Sequence, residues 1–173
     1  MNSKRRNAMK FSLACAASLL CVSTASFGAS LNSKEKNMQK CVYIVHGYDA
    51  SPKSHWFAWL KGEIEKSGAR VEILTMPTPA HPKLDEWLKT LRESVKFEGE
   101  VYLVGHSLGC PTILNFLQSS AMGGAVEGVV LVSGLAKPLS DPQFKILDEF
   151  MDKGFDFERI KAAAKQRAVV AAK

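Results

Sequence analysis

The stretch VYLVGHSLGCPTILNFL, residues 101–117, places one serine between two glycines. An apolar run typical of a strand precedes it, and an apolar run typical of a helix follows it. Gly105 and Gly109 have no Cβ, so the chain can turn sharply from strand to helix without a clash. Such a turn presents a serine hydroxyl at the end of the strand, and the free N–H groups of the helix face it. The spacing predicts a strand–turn–helix unit with Ser107 at its apex.

The rest of the sequence continues this alternation of strand and helix. Continuous apolar runs closed by glycine or proline are typical of strands buried on both faces. Strands that alternate with helices indicate a parallel sheet with helices on both faces. We predict an α/β fold of about five strands in the doubly wound order 2-1-3-4-5, a common choice among the few that right-handed crossovers permit. The predicted strands are 41–47, 70–77, 100–104, 126–134 and 167–173, and the predicted helices are 51–68, 83–95, 108–122, 140–154 and 155–166.

The first predicted helix carries its own start and stop signals. Ser51 can cap its first turn, and Gly68 can end it. Apolar residues recur every four positions from Trp56 onward, which gives the helix one apolar face. We therefore expect Trp56 and Trp59 to belong to the core.

Two turns are predicted to meet at one crevice. In the order 2-1-3-4-5, ligands bind outside the carboxyl ends of the strands, between strands 1 and 3. Strand 1 ends in HGYD (46–49) and strand 3 in GHSLG (105–109). We interpret Ser107 as a nucleophile whose oxyanion is held by the N–H of Leu108 and, because Gly47 lets the first loop turn, by the N–H of Tyr48. The alternative is a Gly-Ser-Gly turn that only ends the strand.

The four histidines are poor candidates for a general base. His106 precedes Ser107, and adjacent side chains in a strand point to opposite faces. His46 is expected to organise the loop after strand 1, while His55 and His81 receive no assigned role. The sequence has no H-E-x-x-H or C-x-x-C pair for a metal and no G-x-x-x-x-G-K-[ST] or G-x-G-x-x-G for a nucleotide. We predict no cofactor and no metal.

Residues 1–29 are predicted to be a cleaved signal peptide. Four cations precede the apolar run 11–22, and small residues follow it. The apolar run is too short to span a bilayer. Cleavage fits best after Ala25 and nearly as well after Gly28. A polar lead-in (30–40) and one domain (41–173) would follow. We expect an exported protein, periplasmic or secreted, and a cytoplasmic one if this segment is not a signal.

The basic charge belongs mostly to this segment. The formal net charge is +6, and loss of four cations leaves +2. The charge is therefore poor evidence for nucleic-acid binding. No other apolar run reaches transmembrane length, so no membrane contact is expected after cleavage.

Two cysteines remain after the signal peptide. Cys41 begins the first predicted strand, whereas Cys110 lies past the end of the third. A strand is roughly 17 Å long, and a disulfide needs Cα atoms within about 7 Å. We predict that both are unpaired, buried residues.

Five longer segments carry a resemblance to one family. VYIVHGYDASPKSHWFAWL, ILTMPTPAHPKLDEWLKTL, YLVGHSLGCPTILNFL, VVLVSGLAKPL and FDFERIKAAAKQRAVVAAK together resemble the YdeN-like serine hydrolases. These are small α/β hydrolases related to retinoblastoma-binding protein nine. The resemblance covers residues 41–173 and implies an α/β-hydrolase fold with a Ser–Asp–His triad, in which Ser107 matches the nucleophile.

The resemblance also implies an acid and a base that this sequence does not contain. The Asp is expected directly after the segment AVVAAK, and the His in a later Gly-His turn, both after Lys173. The signal peptide is a second departure, since members are commonly intracellular. We expect the 173 residues to be a truncated form of an exported hydrolase that lacks the last strand and helix.

Two functions remain open at this point. The first is a carboxylesterase-type serine hydrolase that cleaves a small ester or related acyl substrate through an acyl-enzyme; a peptidase would use the same residues. The second is a catalytically dead α/β-hydrolase fragment that binds a protein or ligand. Reaction of Ser107 with a phosphonate probe discriminates between them.

Overall fold

The computed structural model describes residues 39–119 and 123–171. The predicted signal peptide and most of the polar lead-in lie outside these residues. The strands are β1 (Lys40–Val45), β2 (Arg70–Leu74), β3 (Glu100–His106), β4 (Val126–Val132) and β5 (Ala164–Val170). The helices are α1 (Phe57–Glu65), α2 (Leu84–Ser94), α3 (Gly109–Gln118) and α4 (Phe157–Ala163), and a 3-10 segment (Pro142–Phe150) precedes α4.

The five strands form one sheet in the order β2-β1-β3-β4-β5, which confirms the predicted topology. Every pair of neighbours is parallel. Val45 lies opposite both Leu74 and Gly105, and Val132 lies opposite both His106 and Val170. The turns that follow the strands therefore leave from the same edge of the sheet.

Helices cover both faces of the sheet, as the pattern predicts. Phe57 of α1 is fully buried against apolar residues of β1, β2 and β3 on one face. On the other face, α2, α3, α4 and the 3-10 segment share a larger core that includes Trp87, Phe116 and Phe150. These helices bury the central strands of the sheet, whereas β5 at the edge is largely exposed, with Val169 at 74% and Val170 at 52%.

Two predicted helices near the end of the domain are wrong in part. Residues 140–154 do not form an α-helix; a 3-10 segment over Pro142–Phe150 places Leu147 and Phe150 in the core. Strand β5 begins at Ala164, inside the predicted helix 155–166. Ala164 is fully buried and pairs with Val126, so sheet pairing overrides the helix preference of the alanine-rich segment.

The first helix starts later than the sequence predicts. The N–H of Ser51 donates to Ser54 Oγ at 3.0 Å in a separate turn, and His55 has a φ of +54°. A left-handed residue interrupts a right-handed helix, so α1 begins at Phe57. Trp59 is 47% exposed, which makes its predicted burial wrong. Gly68 has a φ of +84° and follows the helix end as expected.

The state of the two cysteines agrees with the prediction except for the burial of Cys41. Cys41 and Cys110 are both free. Cys110 is buried as predicted, whereas Cys41 is only half-buried. In the part of the chain that the structure describes, no helix is both long and apolar enough to cross a bilayer.

Candidate active site at the carboxyl edge of the sheet

Ser107 occupies the sharp turn between β3 and α3. Its φ is +50°, a left-handed conformation that costs a residue with a Cβ about 1–2 kcal/mol. Its N–H donates to the carbonyl of Val132 at 3.0 Å, and its carbonyl accepts from Cys110 N–H at 3.0 Å. The side chain is partly exposed. Bonds on both sides of the residue hold the strained backbone in place.

The three glycines singled out by the sequence are sites of close chain approach. A Cβ on Gly109 would lie 2.2 Å from the carbonyl oxygen of Val45. A Cβ on Gly105 would lie 3.0 Å from Cys110 Cα, and one on Gly47 would lie 2.9 Å from Ser107 Cβ. A side chain at any of the three would push β1, β3 and α3 apart at the turn.

The structure brings both proposed oxyanion segments next to Ser107. Leu108 directly follows it, ahead of the first residue of α3. The contact of Gly47 with Ser107 brings the Gly47–Tyr48 peptide alongside. Within residues 39–119 and 123–171, neither the Leu108 N–H nor the Tyr48 N–H has a backbone acceptor. Two backbone donors are thus available where a helix N-terminus meets the end of a strand.

His46 is buried beneath this turn and makes two hydrogen bonds. Its Nδ1 lies 2.9 Å from the carbonyl of Gly47, and its Nε2 accepts from the N–H of Met76 at 3.2 Å. A carbonyl can only accept and a backbone N–H can only donate, so Nδ1 carries the proton and Nε2 is bare. Burial also lowers the pKa of His46, which favours the neutral ring. As predicted, His46 organises the loop; these two bonds, however, could not be found from the sequence.

The other histidines have surroundings that do not involve the Ser107 hydroxyl in a hydrogen bond. His106 packs among the rings of His55, Trp56 and Phe57 at the start of α1, with centroid distances of 4.8, 5.7 and 5.6 Å. Burial, and then the nearby His55 and His46, lower the pKa of His106. His81 is exposed in the loop after β2. Among the described residues, no hydrogen bond joins Ser107 Oγ to a histidine.

Cys110 is poorly suited to act as a nucleophile. Burial raises the pKa of its thiol to about 12, so the reactive thiolate is scarce at neutral pH. Its Sγ lies 3.5 Å from the carbonyl of Val132, inside the turn. Within the described ranges, no group of three or more potential ligands could hold a metal ion.

Comparison with known proteins identifies the family. The model of the serine hydrolase family matches residues 42–173. This chain belongs to the serine hydrolase family. The match covers every strand and helix described above except Lys40 and Cys41 at the start of β1, and it includes the turn that carries Ser107.

A relative of this serine hydrolase has a known structure. The YdeN protein of Bacillus subtilis (strain 168) is 47% identical over 137 residues, which make up 79% of this chain and 71% of the relative. The crystal structure of the B. subtilis ydeN product superposes with a TM-score of 0.69 at 46% identity, over 77% of this chain and 71% of that one. The α/β-hydrolase-like fold of this serine hydrolase therefore agrees with the resemblance noted in its sequence.

Proposed function

We propose that this serine hydrolase is of the carboxylesterase type and that Ser107 is its nucleophile. The observation that carries the proposal is the left-handed turn at Ser107 with Gly47 packed directly against it. Ser107 Oγ would attack the acyl carbon of a small ester and lose its proton to a base, and the alcohol would leave with a proton. Water would then cleave the acyl-enzyme, releasing the acid and restoring the hydroxyl. The N–H groups of Tyr48 and Leu108 would stabilise the oxyanion of each tetrahedral intermediate.

The proposal assigns the acid and the base to positions after Lys173. The resemblance places the Asp directly after β5, and the geometry of this edge is compatible with that position. Ser107 N–H donates to Val132 O, and Ser133 N–H donates to Val170 O at 2.7 Å. The end of β5 thus lies two strands from β3, about 10 Å away. An imidazole between a serine and an aspartate bridges such a gap. Sequencing the DNA beyond codon 173 tests this: we expect an Asp codon next and a Gly-His one βα unit later.

Covalent labelling tests the nucleophile. We expect a fluorescent alkyl phosphonate to label the protein that includes the residues proposed to follow Lys173, with the adduct mapped by mass spectrometry to the peptide that contains Ser107. The proposed partner is a small acyl molecule. Without residues 1–29 the formal net charge is only +2, which gives no reason to expect that the protein binds a nucleic acid. A folded protein whose Ser107 never reacts, yet which binds a protein or ligand, would favour the binding module instead.

We also propose that the protein is exported. Expressed at full length in a bacterium with a periplasm, it should lose its N-terminal segment, and the periplasmic fraction should contain a chain that begins at Ser26 or Ala29. The intact mass of the purified protein measures this directly. A cytoplasmic product that retains Met1 would contradict the proposal. Replacing Arg5 and Arg6 with glutamate should block export without changing residues 39–171, which provides the control.

A further inference from the structure

The following inference rests on the proposed function and concerns how its oxyanion site is held. We propose that His46 is a positioning residue, whose Nδ1–H holds the carbonyl of Gly47 so that the N–H of Tyr48 faces the oxyanion formed at Ser107. The imidazole would not touch the substrate. It would act through one peptide group.

The Gly47–Tyr48 peptide presents its carbonyl and its N–H on opposite sides. The bond between Gly47 and Tyr48 is trans, so its carbonyl and its N–H point in opposite directions. The carbonyl is directed at His46 Nδ1, 2.9 Å away. The N–H of Tyr48 is therefore directed away from His46, and Gly47 keeps the same peptide pressed against Ser107.

The Gly47–Tyr48 peptide needs to be held in one orientation. A flip of the Gly47–Tyr48 peptide rotates ψ of Gly47 and φ of Tyr48 in opposite senses, and the lack of a Cβ at Gly47 removes one of the two steric barriers to it. The neighbouring points are fixed: the ring of Tyr48 packs edge-on against Phe144 with centroids 6.1 Å apart, and Asp49 N–H donates to Pro79 O at 2.8 Å. A flip would turn the Gly47 carbonyl toward the developing negative charge. The bond from His46 selects the orientation that presents a donor.

The two ring nitrogens of His46 have different roles, one in anchoring a loop and one in orienting a peptide. Through Nε2, His46 accepts from Met76 and ties the loop after β1 to the loop after β2. Through Nδ1, it orients the Gly47–Tyr48 peptide. An asparagine can place an N–H near the Nδ1 position but cannot reach Met76. A glutamine can place an acceptor near the Nε2 position, which leaves the Gly47 carbonyl without its donor.

The experiment compares His46→Asn, His46→Gln and His46→Leu with the wild-type protein, in each case including the residues proposed to follow Lys173. We would measure kcat and KM for p-nitrophenyl acetate and the rate of phosphonate labelling. Because loss of one oxyanion donor costs about 10²–10³-fold in kcat, Gln and Leu should lose about 100-fold in kcat with little change in KM. Asn should stay within about tenfold of the wild type. His81→Asn, in an exposed loop, is the matched control and should leave both constants unchanged.

Two outcomes would overturn the inference. One is a Gln variant as active as the wild type beside an impaired Asn variant, because only the anchor to Met76 would then matter. The other outcome is measured independently of activity. We expect the nitrogen-15 chemical shifts of the His46 imidazole to show a protonated Nδ1 and an unprotonated Nε2. The opposite tautomer would contradict the positioning role of His46 and would leave the proposed function unaffected. A wild-type protein with the expected tautomer that neither hydrolyses the ester nor reacts with the phosphonate would instead reject the proposed function, and with it any catalytic role for His46.

Discussion

Replacing Ser107 with alanine is expected to lower kcat/KM for p-nitrophenyl acetate by roughly 10⁴-fold or more, because removing a nucleophile leaves only binding and oxyanion stabilisation. Alanine keeps a Cβ, so it keeps the strain of the +50° φ at this turn. The free energy of unfolding should therefore stay within about 0.5 kcal/mol of the wild type. Steady-state hydrolysis and urea denaturation on the same preparation measure both quantities. A variant that hydrolyses the ester at the wild-type rate would show that Ser107 is not the nucleophile.

Ser107→Gly is the matched control for that experiment. It removes the hydroxyl as alanine does, and it also removes the Cβ that makes the left-handed turn unfavourable. We expect the same loss of activity together with a gain of about 1 kcal/mol in the free energy of unfolding. The pair separates the chemical role of the serine from the strain stored in its backbone, as expected where function holds a residue in an unfavourable conformation. Equal stabilities for the two variants would mean that the turn stores no strain.

Replacing Gly109 with alanine is expected to cost about 3 kcal/mol or more of stability. The new Cβ would lie 2.2 Å from the Val45 carbonyl oxygen and 2.8 Å from that of His46. Both are backbone atoms, so no side-chain rotation can relieve the clash, and α3 must move away from the end of β1. Since native proteins are stable by only about 5–15 kcal/mol, this single methyl group should lower the urea midpoint strongly. It should also weaken the oxyanion site, because Leu108 and Tyr48 lie on the two segments that would separate.

Gly62→Ala provides the control for the glycine substitution. Gly62 lies in the exposed middle of α1, and a Cβ there would meet nothing within 4 Å. The same chemical change should therefore raise the free energy of unfolding by about 1 kcal/mol, as expected for Gly to Ala in a helix interior. If Gly109→Ala were as stable as Gly62→Ala, the close approach of α3 to β1 would be wrong.

The sequence predicts the sheet well and the segment ends less well. Continuous apolar runs such as 41–47 and 126–134 identify strands because both faces of a parallel sheet are buried. The start of β5 could not be read in the same way, since residues 155–166 favour a helix locally. Pairing of Ala164 with Val126 decides it. Likewise, Ser51 Oγ does accept a backbone N–H, that of Lys53 at 3.3 Å, but in a turn that precedes the helix.

Some features of the candidate site are local in the sequence, and others depend on the tertiary structure. The sequence by itself determined the strand–turn–helix at Ser107, because apolar patterning and the lack of a Cβ in glycine are local properties of the chain. The tertiary structure shows why two of the glycines are needed: Gly109 approaches the Val45 carbonyl of β1, and Gly47 approaches Ser107. Only the tertiary structure decided the protonation of His46, since its partner Met76 lies 30 residues away and is brought close by the pairing of β1 with β2. A pattern of residue types specifies where a chain can turn. Which nitrogen of a buried ring carries the proton depends on donors and acceptors that meet only after the sheet has formed.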